Sequence, residues 1–210
     1  MRSLELQKQI LIESLRQRGF SEKILESFSK VKRENFVPKK AREYAYEDTA
    51  LPIGLKQTIS QPYTIAMMLS LLELKKGQKV LEIGSGCGYV LSLISEIIGA
   101  KGKIFGIEII KELIEMSKKN LKEYRNVKIY NINGRFGLRE KAPFDRILIS
   151  AANNEISEPL IKQLKNNGVI VAPLGSRFEQ SLIAFKKIKG KLKIKKEIPG
   201  FIFVPLVGTN

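Results

Sequence analysis

The chain contains no histidine and no tryptophan, and cysteine occurs once among its 210 residues, as Cys87. Histidine is the commonest general base and metal ligand, so its absence argues against zinc hydrolases and against Ser-His-Asp or Cys-His enzymes. A single cysteine cannot form an internal disulfide, which agrees with a reducing compartment. Because Cys87 has no evident basic partner, we interpret it as a small filler residue. We therefore expect chemistry that needs neither histidine nor a bound metal.

Long apolar runs are also missing from the sequence. No stretch approaches the length that spans a bilayer, and the first twenty residues carry scattered charges instead of the apolar segment of a secretory signal. We therefore expect a cytoplasmic protein with no membrane partner. At this length we expect one domain, 1–210, in which a helical cap and substrate loop (1–62) precede an α/β core with C-terminal strands (63–210).

Acidic residues are scarce relative to basic ones. The chain has 21 Asp and Glu against 37 Lys and Arg, which gives a formal net charge of +16. Such an excess can mark a nucleic-acid binder. The lysines are spread over the whole chain, however, and the densest run, 186–196, alternates with apolar residues around Gly190, as in an edge hairpin. We therefore favour a partner other than nucleic acid.

Strand patterns alternate with helical ones over most of the chain. We predict strands at 79–83, 103–108, 127–132, 146–150, 169–172, 181–187 and 192–197, and helices at 89–98, 111–124 and 158–164. Residues 48–62, punctuated by two prolines and a glycine, are predicted to be a loop. The predicted fold class is α/β: a doubly wound, mostly parallel, Rossmann-like sheet with an antiparallel edge hairpin and an N-terminal helical cap.

Glycines on alternate positions follow the first of the parallel strands, in the segment VLEIGSGCGY at 80–89. A sharp turn at the carboxyl end of a parallel strand leaves backbone N–H groups and a helix N-terminus facing a crevice. Tyr89 and Val90 stand where a dinucleotide fingerprint has its last small residue. The loop therefore favours a nucleoside without a pyrophosphate over NAD.

Two further strand ends carry polar side chains. Glu108, about twenty residues after the glycine loop, can accept hydrogen bonds from two ribose hydroxyls. Asn133, one strand further, can bind the exocyclic amine of adenine. A backbone cradle, a ribose acceptor and an adenine contact on successive strands are similar to the layout of class I S-adenosylmethionine methyltransferases.

Several segments sharpen this resemblance. They are VKRENFVP (31–38), LPIGLKQTISQPY (51–63), NGRFG (133–137), APFDRILISAA (142–152), ISEPLIKQL (156–164), VAPLG (171–175) and FVPL (203–206). In this order they resemble the protein-L-isoaspartate O-methyltransferase family over nearly the whole chain. The resemblance implies an enzyme that uses S-adenosyl-L-methionine to methylate the free α-carboxylate of L-isoaspartyl residues in damaged proteins and peptides. The ester then collapses to a succinimide, which reopens partly to aspartate.

The same resemblance implies roles for individual residues. Ser60 is the expected catalytic residue, assisted by Thr58. The expected cofactor-binding residues are Gln57, Ile59, Gly84, Ser85, Gly86, Gly88, Glu108, Ile109, Asn133 and Gly134. The expected peptide-binding residues lie in a late strand and are Val204, Pro205 and Leu206.

The sequence departs from the family pattern at a few positions. Lys56 replaces a usual glycine, Ile132 and Asn133 replace a Gly-Asp pair, and 153–154 are asparagines where the family tends to have a small residue and proline. These departures leave room for reduced activity or a shifted acceptor. Three alternatives stay open: an RNA methyltransferase such as a tRNA adenine N1 enzyme, a non-catalytic binding module with this fold, and, more remotely, a nucleotide-dependent oxidoreductase. We expect a monomer.

Overall fold

Two helices begin the chain in the computed structural model, which describes residues 3–176 and 178–206. α1 spans Leu4–Gln17 and α2 spans Glu22–Lys30, and each buries one apolar face. Their buried apolar side chains belong to the same cluster as residues of the following helices and strands. The N-terminal helices are therefore continuous with the main core. The predicted domain limits also include residues 1–2 and 207–210, which lie outside the described residues.

The remaining elements alternate between strands and helices. Two short 3-10 helices, Arg33–Asn35 and Lys39–Tyr44, precede β1 (Leu51–Gly54), β2 (Gln57–Ile59), α3 (Pro62–Leu72), β3 (Lys79–Ile83), α4 (Tyr89–Ile98), β4 (Lys103–Glu108), α5 (Lys111–Asn120), β5 (Val127–Asn131), β6 (Phe144–Ile149), α6 (Glu158–Gln163), β7 (Leu164–Gly175), β8 (Gln180–Ile188) and β9 (Lys191–Phe201). In the described ranges, no helix has the length and apolar character needed to cross a bilayer.

Seven strands form one sheet in the order β5-β4-β3-β6-β7-β8-β9. β3 to β7 are mutually parallel, whereas β8 pairs antiparallel with both β7 and β9. The predicted fold class, a mostly parallel sheet with an antiparallel edge hairpin, is confirmed. The chain adds β4 and β5 on one side of β3 and then returns to add β6 and β7 on the other. Ligands of such sheets bind outside the carboxyl ends of the strands where the order reverses, here between β3 and β6.

The elements around the glycine loop begin and end where the sequence predicts them. These are β3, α4 and β4. Other ends differ: the helix predicted for 111–124 ends at Asn120, and the strand predicted for 169–172 spans Leu164–Gly175. β7 is longer because it has a partner on each side, with Leu164 opposite Phe144 of β6 and Gly175 opposite Gln180 of β8.

Residues 51–59 form a β-hairpin, and the prediction of a loop there is wrong. β1 and β2 pair antiparallel, with Leu51 opposite Ile59. The turn residues Leu55 and Lys56 have φ of 54° and 58°. Two-residue hairpin turns of type I′ require this left-handed conformation at both central residues, which glycine or asparagine usually supplies. The turn carries neither residue, so the usual hairpin signal is missing, and a glycine in place of Lys56 would adopt this φ without strain.

Residues 202–206 cross the end of the sheet without forming the predicted late strand. The Ala152 N–H donates to the Val204 carbonyl at 2.8 Å, and the Leu206 N–H donates to the Ala152 carbonyl at 2.9 Å. The result is an isolated parallel bridge between Ala152 and Pro205. The assignment of Val204, Pro205 and Leu206 to a strand is therefore wrong. The central proline has no N–H with which to continue a ladder.

Candidate functional site

The glycine loop leaves β3 at its carboxyl end and leads directly into α4. Gly84, Gly86 and Gly88 have φ of 77°, 51° and 87°, a region that residues with a Cβ rarely adopt. The Gly84 N–H donates to the Ile107 carbonyl at 2.9 Å, which holds the loop against β4. A Cβ on Gly88 would lie 2.6 Å from Leu121 Cδ1. The positive φ therefore favours glycine just before α4, and Leu121 would have to move to admit a Cβ.

Glu108 ends β4 and braces this loop. Its side chain is buried and accepts three backbone hydrogen bonds: Oε2 from Gly86 at 2.9 Å, and Oε1 from Ile109 at 2.8 Å and Ile110 at 3.0 Å. Charge-assisted hydrogen bonds of this kind are roughly twice as strong as neutral ones. Glu108 therefore ties the glycine loop to the start of α5.

A cavity, here named the glycine-loop cavity, lies at the carboxyl ends of β3 and β4. It brings together most of the residues predicted from the sequence to form the site. The predicted residues in its lining are Gln57, Thr58, Gly84, Gly86, Glu108, Ile109, Gly134, Val204, Pro205 and Leu206. Its open volume is ≈ 60 Å³, so the walls must part before a nucleoside can enter.

A second cavity, here named the outer cavity, adjoins the first and has a volume of ≈ 380 Å³. Ser60 lines it, together with Thr58, Ser150, Val204 and Pro205. The last four also line the glycine-loop cavity. Ligands in the two cavities would therefore contact the same four residues, here named the shared wall. Ser60 lies beside this wall in the outer cavity.

Glu82 and Ser150 are site residues that the sequence analysis missed. Glu82, in β3, is 1% exposed. Its Oε1 accepts a hydrogen bond from Ser150 Oγ at 2.7 Å, and its Oε2 has no partner. Both residues line a small pocket, here named the inner cavity, together with Thr58 and Ser60. A carboxylate between the apolar residues Leu81 and Ile83 of β3 was the available signal.

Burial controls the charge of Glu82. Removal of the carboxylate from water raises the pKa of Glu82 from 4.5 to about 8, and the negative charge of Glu108 acts in the same direction. The hydrogen bond from Ser150 lowers the pKa but does not outweigh burial. Since the ionised form is disfavoured in a water-poor pocket, Glu82 is mostly a neutral carboxylic acid at pH 7.

Four predicted cofactor contacts lie elsewhere. Ile59 and Ser85 are buried against the inner cavity and do not line the glycine-loop cavity. Gly88 and Asn133 do not occur among the described residues that line the three named cavities. The Asn133 Oδ1 accepts a hydrogen bond from the Arg135 N–H at 2.9 Å and caps a short 3-10 helix. Short polar side chains commonly bond their own backbone in this way.

Cys87 lies in the glycine loop but has no reactive character. Its side chain is buried, and burial raises the pKa of the thiol to about 11. The thiolate is the nucleophilic form of cysteine, so this thiol is inert near pH 7. Over residues 3–176 and 178–206, no three His, Cys, Asp or Glu side chains are grouped so that they could hold a metal ion.

Comparisons with known proteins give matches over nearly the whole chain. The model of the protein-L-isoaspartate(D-aspartate) O-methyltransferase family matches residues 6–210. A protein-L-isoaspartate O-methyltransferase of Methanothrix thermoacetophila is 44% identical over 205 residues, which cover 97% of this chain and 96% of the relative.

Two solved structures are similar over nearly the whole chain. A protein-L-isoaspartate O-methyltransferase superimposes with a TM-score of 0.85 at 29% identity, covering 96% of this chain and 66% of the other. A Plasmodium falciparum protein described as a protein-L-isoaspartate O-methyltransferase, in complex with S-adenosyl-L-homocysteine, gives a TM-score of 0.80 at 26% identity. That match covers 93% of this chain and 96% of the other.

Proposed function

Because the chain belongs to the protein-L-isoaspartate(D-aspartate) O-methyltransferase family, we propose that it methylates the free α-carboxylate of L-isoaspartyl residues in damaged proteins and peptides. The methyl donor is S-adenosyl-L-methionine. The observation that carries the proposal is the wall shared by the glycine-loop and outer cavities, formed by Thr58, Ser150, Val204 and Pro205. A donor on one side and a peptide on the other would meet beside Ser60.

The residues of the glycine-loop cavity suit an adenosyl group. Gly84 and Gly86 have no side chain, so a ligand can lie against their backbone. Glu108 offers carboxylate lone pairs that remain after its backbone hydrogen bonds. Gly134 has no space for a Cβ, which would lie 2.3 Å from Ile83 Cγ2. We assign cofactor binding to these residues with Gln57 and Ile109, and the adenine contact of Asn133 stays a prediction, since an amide oxygen that accepts from the Arg135 N–H has a second lone pair.

The chemistry needs no general base. When bound, the cofactor supplies a sulfonium-activated methyl group. The acceptor carboxylate has an ordinary pKa near 4 and is ionised at pH 7. The protein therefore has to align the two reactants and exclude water, which agrees with a chain that lacks histidine.

Hydroxyl groups orient the acceptor in this proposal. Ser60 and Thr58 border the outer cavity, and the hydroxyl of each can donate a hydrogen bond to a carboxylate. The acceptor loses its charge in the transition state, so strong ground-state pairing with a cation would slow the reaction. Neutral donors hold the carboxylate without that penalty.

The neutral Glu82 supports an anionic acceptor. An ionised Glu82 beside a second carboxylate would repel it. With its pKa raised to about 8, the carboxyl group carries little charge near pH 7. Glu82 does not line the outer cavity, but the inner cavity that it faces is also lined by Ser60 and Thr58, so an acceptor held by these two residues meets little repulsion from Glu82 at neutral pH.

A peptide pair tests the proposed reaction. We expect labelled methyl transfer from S-adenosyl-L-methionine to the isoaspartyl form of one peptide and none to its aspartyl form, with the label released by mild base as expected of a methyl ester. Equal labelling of both forms, or labelling of bulk tRNA alone, would reject the proposal. We further propose that the enzyme acts as a monomer in the cytoplasm, which size-exclusion chromatography and cell fractionation would test.

Replacement of Ser60 by alanine tests the role of its hydroxyl. We expect kcat to fall about 10- to 100-fold, because a small misplacement of an oriented reactant costs up to about 100-fold in rate. The affinity for S-adenosylhomocysteine should stay unchanged, because Ser60 does not line the glycine-loop cavity. Steady-state kinetics and calorimetry measure the two quantities.

The matched control is Ser70→Ala, at an exposed position on α3. This variant should keep wild-type kinetics. A Ser60→Ala variant that loses cofactor affinity, or one that keeps full turnover, would contradict the assigned role.

A further inference from the structure

Arg33 is the largest of the completely buried side chains, with an exposure of 0%. It lies in the 3-10 helix Arg33–Asn35, between the N-terminal helices and the β1–β2 hairpin. Arginine is seldom fully buried without a charged partner. A fully buried guanidinium in the cap therefore depends on its contacts to compensate its charge.

One nitrogen of Arg33 joins the two ends of the β1–β2 hairpin. Nη2 donates to the Ser60 carbonyl at 2.9 Å and lies 3.4 Å from the Thr49 carbonyl. Thr49 precedes β1 and Ser60 follows β2. The guanidinium thus holds the base of the hairpin and, with it, the backbone of the proposed catalytic serine.

The same guanidinium contacts the start of α4. Its Cζ lies 5.1 Å from the centroid of the Tyr89 ring, a distance at which cation–π attraction operates. Tyr89 follows the glycine loop directly, and the Phe36 ring packs edge-on against it at 5.2 Å. Arg33 therefore lies between the segment that carries Ser60 and the helix that follows the proposed cofactor loop.

Core packing alone does not account for a guanidinium at this position. Nε and Nη1 have no hydrogen-bond partner within ordinary geometric limits, and burial lowers the pKa of Arg33 although the neighbouring Tyr89 acts in the opposite direction. Among the described residues, no carboxylate forms an ion pair with it. An apolar side chain would fill the same space without the desolvation cost.

We propose that Arg33 is a positioning residue for methyl transfer. By holding the Ser60 carbonyl against the first residue of α4, it sets the Ser60 hydroxyl beside the shared wall of the two cavities. The proposal rests on the proposed function. A small displacement of an orienting group can lower turnover strongly while the ligands still bind.

Arg33→Lys is the principal test, because lysine keeps the charge but loses the planar fork of donors. We expect kcat for the isoaspartyl peptide to fall about tenfold, with the affinity for S-adenosylhomocysteine unchanged. Because Arg33 acts through Ser60, the same change made in the Ser60→Ala background should lower kcat by less than about twofold. Independent, multiplicative effects would overturn the proposal.

Arg146→Lys is the matched control. Arg146 is also buried and also donates to backbone carbonyls, those of Leu72 at 2.6 Å and Glu73 at 3.1 Å. It contacts the far end of α3, away from Ser60. Its replacement should lower stability, and any effect on kcat should be the same with and without the Ser60 hydroxyl. Assays are run below the unfolding midpoint of each variant.

Hydrogen exchange gives a readout that does not depend on activity. Arg33→Lys should speed exchange of the β1–β2 amides at 51–59 relative to the sheet, whereas Arg146→Lys should not. If Arg33→Lys fails to fold, Arg33→Gln, which retains a planar donor, is used for the same comparison. If Arg33→Lys does not speed exchange at 51–59 relative to the sheet, the positioning role is overturned. Absence of methyl transfer by the wild-type protein is a separate result, and it would reject the proposed function.

Discussion

Replacing Glu82 with glutamine should make the protein more stable at neutral and alkaline pH and flatten its pH dependence. The folded protein raises the pKa of Glu82 from 4.5 to about 8. Between these values the folded state holds a proton that the unfolded state has released. The contribution of Glu82 to the free energy of unfolding is therefore fully present below about pH 4.5. It falls by about 1.4 kcal/mol per pH unit as pH rises toward 8, and it is lost above that pH.

Glutamine is a suitable replacement because it is neutral at every pH and has nearly the same shape. Its carbonyl oxygen can accept the hydrogen bond that Ser150 Oγ donates at 2.7 Å, and its NH₂ group faces the inner cavity. Because the chain has no histidine, few other side chains titrate between pH 5 and 8. The contribution of Glu82 should therefore be visible above the background.

Denaturant unfolding at fixed ionic strength from pH 5 to 9 measures this effect. The gap between Glu82→Gln and the wild type should widen with pH up to about 8 and then stay constant. Glu26→Gln, at an exposed glutamate of α2, is the matched control and should run parallel to the wild type. Parallel curves for Glu82→Gln as well would show that Glu82 is ionised in the folded protein.

Ionisation of Glu82 should also change the KM of the enzyme. Above about pH 8 an ionised Glu82 would share the inner cavity with Ser60 and Thr58, the residues proposed to hold the acceptor, so the KM for the isoaspartyl peptide should rise as like charges repel. The rise should be absent in Glu82→Gln. A KM that is flat with pH in the wild type would remove Glu82 from the acceptor site.

Replacing Glu108 with glutamine should weaken S-adenosylhomocysteine binding by about 100-fold or more. A 100-fold loss of affinity corresponds to about 2.7 kcal/mol of binding free energy. The carboxylate accepts backbone N–H groups with both oxygens. An amide has one acceptor oxygen, so its NH₂ group must face an N–H donor. Either Gly86 or the start of α5 then loses its partner, and the charge offered to the ribose hydroxyls is lost as well.

Calorimetry measures the change in affinity, and Glu112→Gln is the control. Glu112 lies in the first turn of α5 and is exposed, so its replacement removes the same charge nearby without touching the loop. It should leave affinity unchanged, because exposed charges contribute little. An affinity of Glu108→Gln close to that of the wild type would mean that the glycine loop keeps its shape without the carboxylate.

Local sequence signals predicted the centre of the fold well. β3, α4 and β4 were predicted to the residue because their apolar runs and the glycines that flank them form local patterns. Such patterns depend only on neighbouring residues in the sequence. The β1–β2 hairpin was missed for the opposite reason. Its turn places Leu55 and Lys56 at positive φ, so the conformation is imposed by the surrounding packing and not by the turn residues themselves.

The site was predicted in outline and completed by contacts between distant residues. Glu108 and the glycines follow strands that can be recognised locally. Glu82 and Ser150 are 68 positions apart, and Arg33 and Ser60 are 27 apart. No local pattern links the members of either pair.

By itself the sequence determined the α/β class, the order of the central elements, the family, and a chemistry without histidine, since each depends on residue type and short spacing. Only the tertiary structure decided that burial raises the pKa of Glu82, that Asn133 caps its own backbone, and that a buried arginine holds the Ser60 carbonyl. These properties depend on how much water reaches a group and which atoms surround it. Both are set when strands from separate parts of the chain come together.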